Sequence, residues 1–164
     1  MTVIPVEFYE FEMAKPGRVP RYAARIVQEA EYELPRKLVI DHINVLDVFV
    51  SMLIAELKDE FFAAIATDTR LQPIGVVACP LDIYNKMTSL TELIIERIIL
   101  LNAHSFHAAV YKGNASATLS DPDDIKMYKT LDEAARWFDI KMNDYVVFYD
   151  TIMYSLMDNI IEHL

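Results

Sequence analysis

The sequence predicts a single α/β domain, in which helices pack around a mixed β-sheet. Two observations support this prediction. Short buried-type runs rich in Val, Ile and Ala alternate along the chain with segments whose apolar residues recur at helical spacing. The 164 residues are 54% hydrophobic and 11% aromatic, which suffices for one domain with a sizeable core.

Composition excludes several classes of protein. With only three glycines, the chain contains no glycine-rich phosphate-binding motif. A single cysteine, Cys79, excludes an internal disulfide and is typical of a reducing compartment. A net charge of −10 disfavours direct nucleic-acid binding, because phosphate backbones attract basic proteins. The first residues do not resemble a signal peptide and no apolar run is long enough to span a bilayer, so we expect a cytoplasmic protein.

The first third of the chain predicts strands followed by a helix. Alternating apolar residues over 6–13 predict an edge strand. Residues 22–33 are compatible with a strand or a short helix, and Pro35 ends the element in either case. Apolar residues at helical spacing predict a helix over 44–58 with Asn44 as its cap.

The middle of the chain predicts three buried strands. Two of them, over residues 60–67 and 74–79, are joined by a short hairpin loop. A short helix over 88–96 precedes the third strand, which we place at residues 98–103. A polar loop follows over 108–119.

The last part of the chain predicts a helix over 122–138, with Ser120 as its cap and the lone Trp137 packed in the core. A strand over 143–148, a shorter one over 153–156 and a terminal helix over 157–164 complete the prediction.

Several local motifs have a recognisable order. Glu-x-Phe at Glu60 is followed by Asp68-Thr69, Pro-Ile-Gly-Val begins at Pro73, and Asp124-Ile125 begins the later helix. This arrangement resembles the RadC-like family of the JAB/MPN (JAMM) metalloprotease fold. The resemblance covers about residues 25 to 159 and implies a cytidine-deaminase-like layered domain over 25–164, preceded by an N-terminal extension over 1–24.

The resemblance implies a zinc site with defined roles. JAMM enzymes use a glutamate, a His-x-His pair and Ser-x-x-Asp, in which two histidines and an aspartate leave one zinc position for water. It implies Glu60 as the acid/base group, Ser120 as the oxyanion donor, and Asp123 or Asp124 as a metal ligand. Ser120 and Asp123 are equally typical of a helix start without metal.

The histidine pair departs from the family pattern. If residues 98–101 hold the place of the family's Ile-Ile-Leu, the ligand positions fall on Asn102 and His104. The alternative pairs His104 with His107, with Phe106 inserted between them. An asparagine amide is a poor zinc ligand and the second spacing is unusual, so we expect zinc binding to be weak or absent.

Two functions from different classes remain. The first is a pseudo-enzyme that keeps the RadC-like fold in order to bind a protein with a basic surface, as an inhibitor encoded on a mobile element. The alternative is a zinc-dependent hydrolase that cuts an amide or isopeptide bond. The second function needs Glu60, His104 and the Asp123/Asp124 pair to converge at one end of the sheet, and we expect that they do.

Overall fold

The computed structural model describes residues 1–18, 21–81, 83–119, 121–159 and 161–163. This part of the chain forms one eight-stranded sheet with three helices. The strands are β1 (Thr2–Lys15), β2 (Arg21–Leu34), β3 (Phe61–Thr67), β4 (Pro73–Pro80), β5 (Ser105–Tyr111), β6 (Lys141–Phe148), β7 (Ile152–Ser155) and β8 (Ile161–His163). The helices are α1 (Ile43–Leu57), α2 (Ile83–Leu100) and α3 (Pro122–Arg136). None of the helices in these residues is long and apolar enough to cross a membrane.

The sheet is mixed, in the order β2-β1-β4-β3-β5-β6-β7-β8. The β1–β4 and β5–β6 pairs are parallel, and the other neighbours are antiparallel. Helices cover both faces of its centre, which confirms the predicted α/β class. All seven residues of β3 are buried for this reason.

The two faces of β3 contact different helices. Phe61, Ala63 and Ile65 share a core with buried residues of α1, such as Phe49. The alternate residues, Phe62 and Ala64, share the other core with α2 and α3. A side chain's position along a central strand therefore determines which helices it can contact.

A long β-hairpin precedes the central part of the sheet. Residues 22–33 lie in β2, so the strand alternative is correct. β1 pairs with β2 on one side and with β4 on the other, so the predicted edge position for residues 6–13 is wrong, and β2 forms the edge instead. The expected division at residues 24/25 falls inside β2 and stays a prediction.

The predicted helix over 44–58 is confirmed as α1, but its cap differs. The Nδ1 atom of His42 accepts a hydrogen bond from the Asn44 amide at 3.2 Å, so His42 rather than Asn44 is the cap. The helix ends at Leu57, and its C-cap Lys58 has a left-handed φ of 60°.

The strand predicted over 98–103 is wrong. Residues up to Leu100 continue α2, and Asn102 follows with a left-handed φ of 54°. Leu90, Ile94 and Ile98 recur every four residues and are fully buried, so this segment buries its apolar residues as a helix. The strand that pairs with β3 is β5, whose last four residues lie in the segment predicted to be a loop.

The C-terminal part follows the prediction up to β7. α3, β6 and β7 correspond to the predicted helix and strands. The terminal helix predicted over 157–164 is wrong, because β8 lies there and pairs with β7. Trp137 directly follows the end of α3 at Arg136 and is 83% exposed, so its predicted core packing is also wrong.

Candidate functional site

The central sheet has two ends that matter for the predicted site. β3 and β5 are antiparallel, with Phe61 paired to Tyr111 and Thr67 paired to Ser105. We call the end with the Phe61–Tyr111 pair the Lys112 end, since Lys112 follows Tyr111. The end with the Thr67–Ser105 pair is the His104 end, since His104 precedes Ser105. At about 3.3 Å per residue, seven residues separate the two ends by roughly 20 Å.

The predicted convergence is wrong because the chosen residues lie at different ends. Glu60 immediately precedes β3 and therefore lies at the Lys112 end. His104 is exposed at the other end, where its amide donates a hydrogen bond to the Thr67 carbonyl at 3.0 Å. A carboxylate and an imidazole this far apart cannot act on one bound water.

His107 lies between the two ends and on the wrong face for the predicted aspartates. It pairs with Ile65 on one side and Asp144 on the other, and is only 6% exposed. Alternation along β5 turns it toward α1, together with Ala109. Asp124 is on α3, on the opposite face of the sheet, so the sheet separates these two predicted ligands.

Burial determines the chemistry of His107. Removal from water, with a smaller contribution from nearby Lys141, lowers the pKa of this imidazole to about 4. Its Nδ1 atom has no hydrogen-bond partner among the described residues. His107 is therefore an uncharged imidazole buried in the sheet at pH 7.

Asp144, beside His107, is a buried carboxylate held by hydrogen bonds. The Ser155 hydroxyl donates to its Oδ2 at 2.7 Å, and the Tyr145 amide donates to its Oδ1 at 2.7 Å. Burial nevertheless raises the pKa of Asp144. His107 and Asp144 line a cleft of about 240 Å³ with Lys141, at the sheet end nearer His104.

The Lys112 end contains a compact group of charges. Lys112 Nζ donates to Asp124 Oδ2 at 2.5 Å and to Asp121 Oδ2 at 3.2 Å. Lys112 is 7% exposed and Asp124 is 2% exposed, so their ion pair is shielded from water. The Tyr145 hydroxyl donates to the other oxygen of Asp124 at 3.3 Å. We call Lys112, Asp121 and Asp124 the charged triad.

The two carboxylates of the triad have different environments. Burial raises the pKa of Asp124, although Lys112 and the Tyr145 hydroxyl act in the opposite direction. Asp121 caps α3, and its Oδ1 accepts a hydrogen bond from the Asp123 amide at 3.0 Å. Partial burial opposes ionisation of Asp121, but this amide and Lys112 together lower its pKa.

Among the described residues, the other predicted site residues at this end do not complete a ligand set. Glu60 and Asp123 are both exposed, and Asp123 lies in the first turn of α3. Ser120 lies outside the described residues. The Tyr111 hydroxyl donates to Asp150 at 2.7 Å, and this bond, followed by burial, raises the pKa of Tyr111.

The structure changes which part of the chain corresponds to the histidine pair that the resemblance implies. That pattern places His-x-His after the buried strand that leads to the Ser-x-x-Asp loop. Because this strand is β5, which ends at Tyr111, the pair's places fall at the end of β5 rather than at residues 102–107. With Asp124 retained as the aspartate, the serine's place is occupied by Asp121.

These residues do not fit a zinc ion. The residues that follow β5, from Lys112 to Leu119, include no histidine, and an ammonium group lies against Asp124. The described residues contain no group of three or more His, Cys, Asp or Glu side chains that could hold a metal. The sequence prediction does not include Lys112, because it places residues 108–119 in a polar loop. The Asp124-Ile125 match was the signal that could have shown which strand precedes the Ser-x-x-Asp loop.

The protein is an α/β domain built on a mixed sheet covered on both faces, with a charged site between a central strand end and a helix start. The family model of the RadC-like JAB domain matches residues 40–161, so this chain belongs to that family. No curated protein matches the chain.

Proposed function

We propose that this protein is a RadC-like JAB domain that lacks metallopeptidase activity and acts by binding another protein. The observation that carries the proposal is the contact of Lys112 Nζ with Asp124 and Asp121. The resemblance implies Asp123 or Asp124 as a metal ligand. Here Asp124 is already paired with a cation from its own chain.

Electrostatics opposes zinc at this position. A dication placed beside an ammonium group in a shielded site is strongly repelled, because the effective dielectric constant there is far below that of water. A catalytic zinc also needs three protein ligands and an open position. The alternative function, a zinc-dependent hydrolase with Glu60 as its acid/base group, has no comparable observation in its favour.

The negative charge of the protein supports a partner with a basic surface. The chain carries a net charge of −10, and the edge strand β2 presents a row of exposed glutamates. Glu29, Glu31 and Glu33 alternate along β2, while Tyr32 and Leu34 turn to the core. We call these three glutamates the acidic row. A protein with a basic surface is the partner this row suits, since complementary charge steers association.

We further propose that the biological setting is inhibition, with the protein encoded on a mobile element and occupying a basic surface of a competing system. Its acidic surface supports this role, because covering a basic surface needs charge and shape but no catalytic chemistry.

The test compares two variants with equal loss of charge. The first carries Glu29→Gln, Glu31→Gln and Glu33→Gln. The control carries Asp59→Asn, Glu133→Gln and Asp139→Asn, all at exposed positions outside β2. Capture of a defined basic partner by wild type and control, lost in the acidic-row variant and weakened by salt, is the expected result. Equal capture by both variants contradicts the proposed surface.

Catalysis is tested on the same preparation. We expect no zinc-dependent cleavage of a fluorogenic isopeptide substrate by the wild-type protein. Turnover that requires zinc and disappears in Glu60→Gln would overturn the proposal and favour the hydrolase.

A further inference from the structure

We propose that Lys112 supplies from within the chain the positive charge that a metal would bring to Asp121 and Asp124. This inference deepens the proposed function and rests on its view that the site is not a zinc centre. Its new content is that the two aspartates form a cation site which the protein keeps filled by itself, and which removal of Lys112 would open to a divalent ion.

The backbone directs Lys112 to this place. Its amide donates to the Phe148 carbonyl at 2.9 Å, so Lys112 continues the β5–β6 pairing by one residue. Ala108 and Val110 face α2 and α3, and Lys112 follows two residues later on the same face. The four-carbon stem then runs toward the start of α3, where its ammonium contacts both aspartates.

The aspartates need a cation because of where they lie. An ionised carboxylate as buried as Asp124 is costly unless a charged partner and hydrogen bonds compensate it. The Tyr145 hydroxyl supplies one hydrogen bond and the N-terminal end of α3 supplies a weak positive potential. Neither group carries a full charge, so the ammonium of Lys112 provides the main compensation.

The chemistry of the opened site follows from its donors. Without Lys112, two carboxylates and a phenolic hydroxyl would surround a space at the start of α3. Oxygen donors suit hard cations such as Mn²⁺, Mg²⁺ or Ca²⁺ rather than zinc, and a site with few ligands binds them weakly. Millimolar Mn²⁺ is therefore the appropriate probe.

The experiment measures the melting temperature, Tm, of the full chain with EDTA and with millimolar MnCl₂. We expect the Tm of wild type to be the same in both. Lys112→Ala should lower the Tm in EDTA by roughly 10 °C, since leaving a buried charge unpaired costs several kcal/mol. MnCl₂ should recover part of this loss. Lys126→Ala, at an exposed position of α3, is the matched control and should behave as wild type.

Two further variants keep the inference falsifiable. Lys112→Ala with Asp124→Asn should show no recovery by MnCl₂, because one carboxylate is gone. If Lys112→Ala does not fold, Lys112→Met with Asp124→Leu is measured against Asp124→Leu alone. A higher Tm in the double variant supports the pairing, and a lower Tm contradicts it.

Three results would overturn the inference: a fall in the wild-type Tm with EDTA, an undiminished Tm in Lys112→Ala, or recovery by MnCl₂ that survives Asp124→Asn. These outcomes are separate from the proposed function. A protein that shows the expected Tm pattern but captures no basic partner would retain this inference and lose the proposed binding role.

Discussion

Glu60 and His104 lie at opposite ends of one strand pair, because Glu60 precedes β3, His104 precedes β5, and the two strands are antiparallel. Seven paired positions separate them, from Phe61–Tyr111 to Thr67–Ser105. This relationship prevents the two residues from sharing a metal-bound water, whatever the rotamers of their side chains. It also means that substitutions at the two positions should have independent effects.

The first prediction concerns metal content. We expect elemental analysis of gently purified protein to find zinc well below one ion per chain. His104→Ala should leave that amount unchanged, since the exposed imidazole has no ligand set near it among the described residues. Stoichiometric zinc that is lost in both His104→Ala and Asp124→Ala would contradict the separation of the two ends.

The second prediction concerns pH and His107. Its folded pKa of about 4 lies below the unfolded value of about 6.5, so the unfolded chain binds the proton more tightly. The stability contributed by the neutral imidazole is therefore fully present above pH 6.5 and is lost as the pH falls toward 4. At pH 4.5 the loss should be roughly 2–3 kcal/mol.

Urea unfolding at pH 7 and pH 4.5 measures this effect. Carboxylates with raised pKa values, Asp124 and Asp144, act in the opposite direction over the same range, so wild type alone does not isolate it. The difference in pH dependence between wild type and His107→Leu isolates the contribution of His107. His104→Gln, at an exposed histidine, is the control and should follow wild type. Equal pH dependence in wild type and His107→Leu would refute the assignment.

The elements that the sequence predicts correctly have either a clear spacing of apolar residues or clear turn residues at their ends. α1 shows helical spacing over 15 residues, and β3 and β4 are short apolar runs separated by a hairpin loop. The segment from Arg97 to Leu101 has neither signal. A short run of Ile and Leu fits a buried strand and the last turn of a buried helix equally well.

This single ambiguity accounts for most of the error in the site. Once residues 98–103 were assigned as the strand, the histidine positions fell on Asn102, His104 and His107, several residues before the true strand end. With the strand placed at residues 98–103, Lys112 lies in a predicted loop, so the charged triad is not predicted. The prediction of Asp124 did not depend on the misassigned strand, and Asp124 lies in the charged triad.

The third prediction tests the contact between β4 and the turn after α2. A Cβ atom on Gly75 would lie 2.9 Å from Leu101 Cδ1, which is too close for two carbons. Leu101 must shift its methyl groups to make room, so Gly75→Ala should cost at most about 1 kcal/mol of unfolding free energy after the gain from restricting the unfolded chain. In a Leu101→Ala background the same change should become neutral or stabilising by about 0.5 kcal/mol.

A double-mutant cycle from urea unfolding measures this coupling. Its four members are wild type, Gly75→Ala, Leu101→Ala and the double variant. Additive effects would show that Leu101 does not lie over Gly75, and would argue against the turn that separates α2 from β5.

The last prediction concerns Trp137, which the sequence placed in the core and the structure places in solvent. α3 ends at Arg136, and the indole one residue later is 83% exposed, whereas Leu131 in the same helix is fully buried. An exposed side chain loses little on truncation, so Trp137→Ala should change the unfolding free energy by less than about 0.5 kcal/mol. Leu131→Ala should cost roughly 2–5 kcal/mol, because it leaves a cavity under the helix.

Trp137 is the single tryptophan of the chain, so its fluorescence reports this position alone. The folded protein should already show the emission maximum and iodide quenching of a water-exposed indole, with little change on unfolding in urea. A blue-shifted, poorly quenched emission that moves to longer wavelength on unfolding would instead show that this surface is covered, by packing within the chain or by another copy of it.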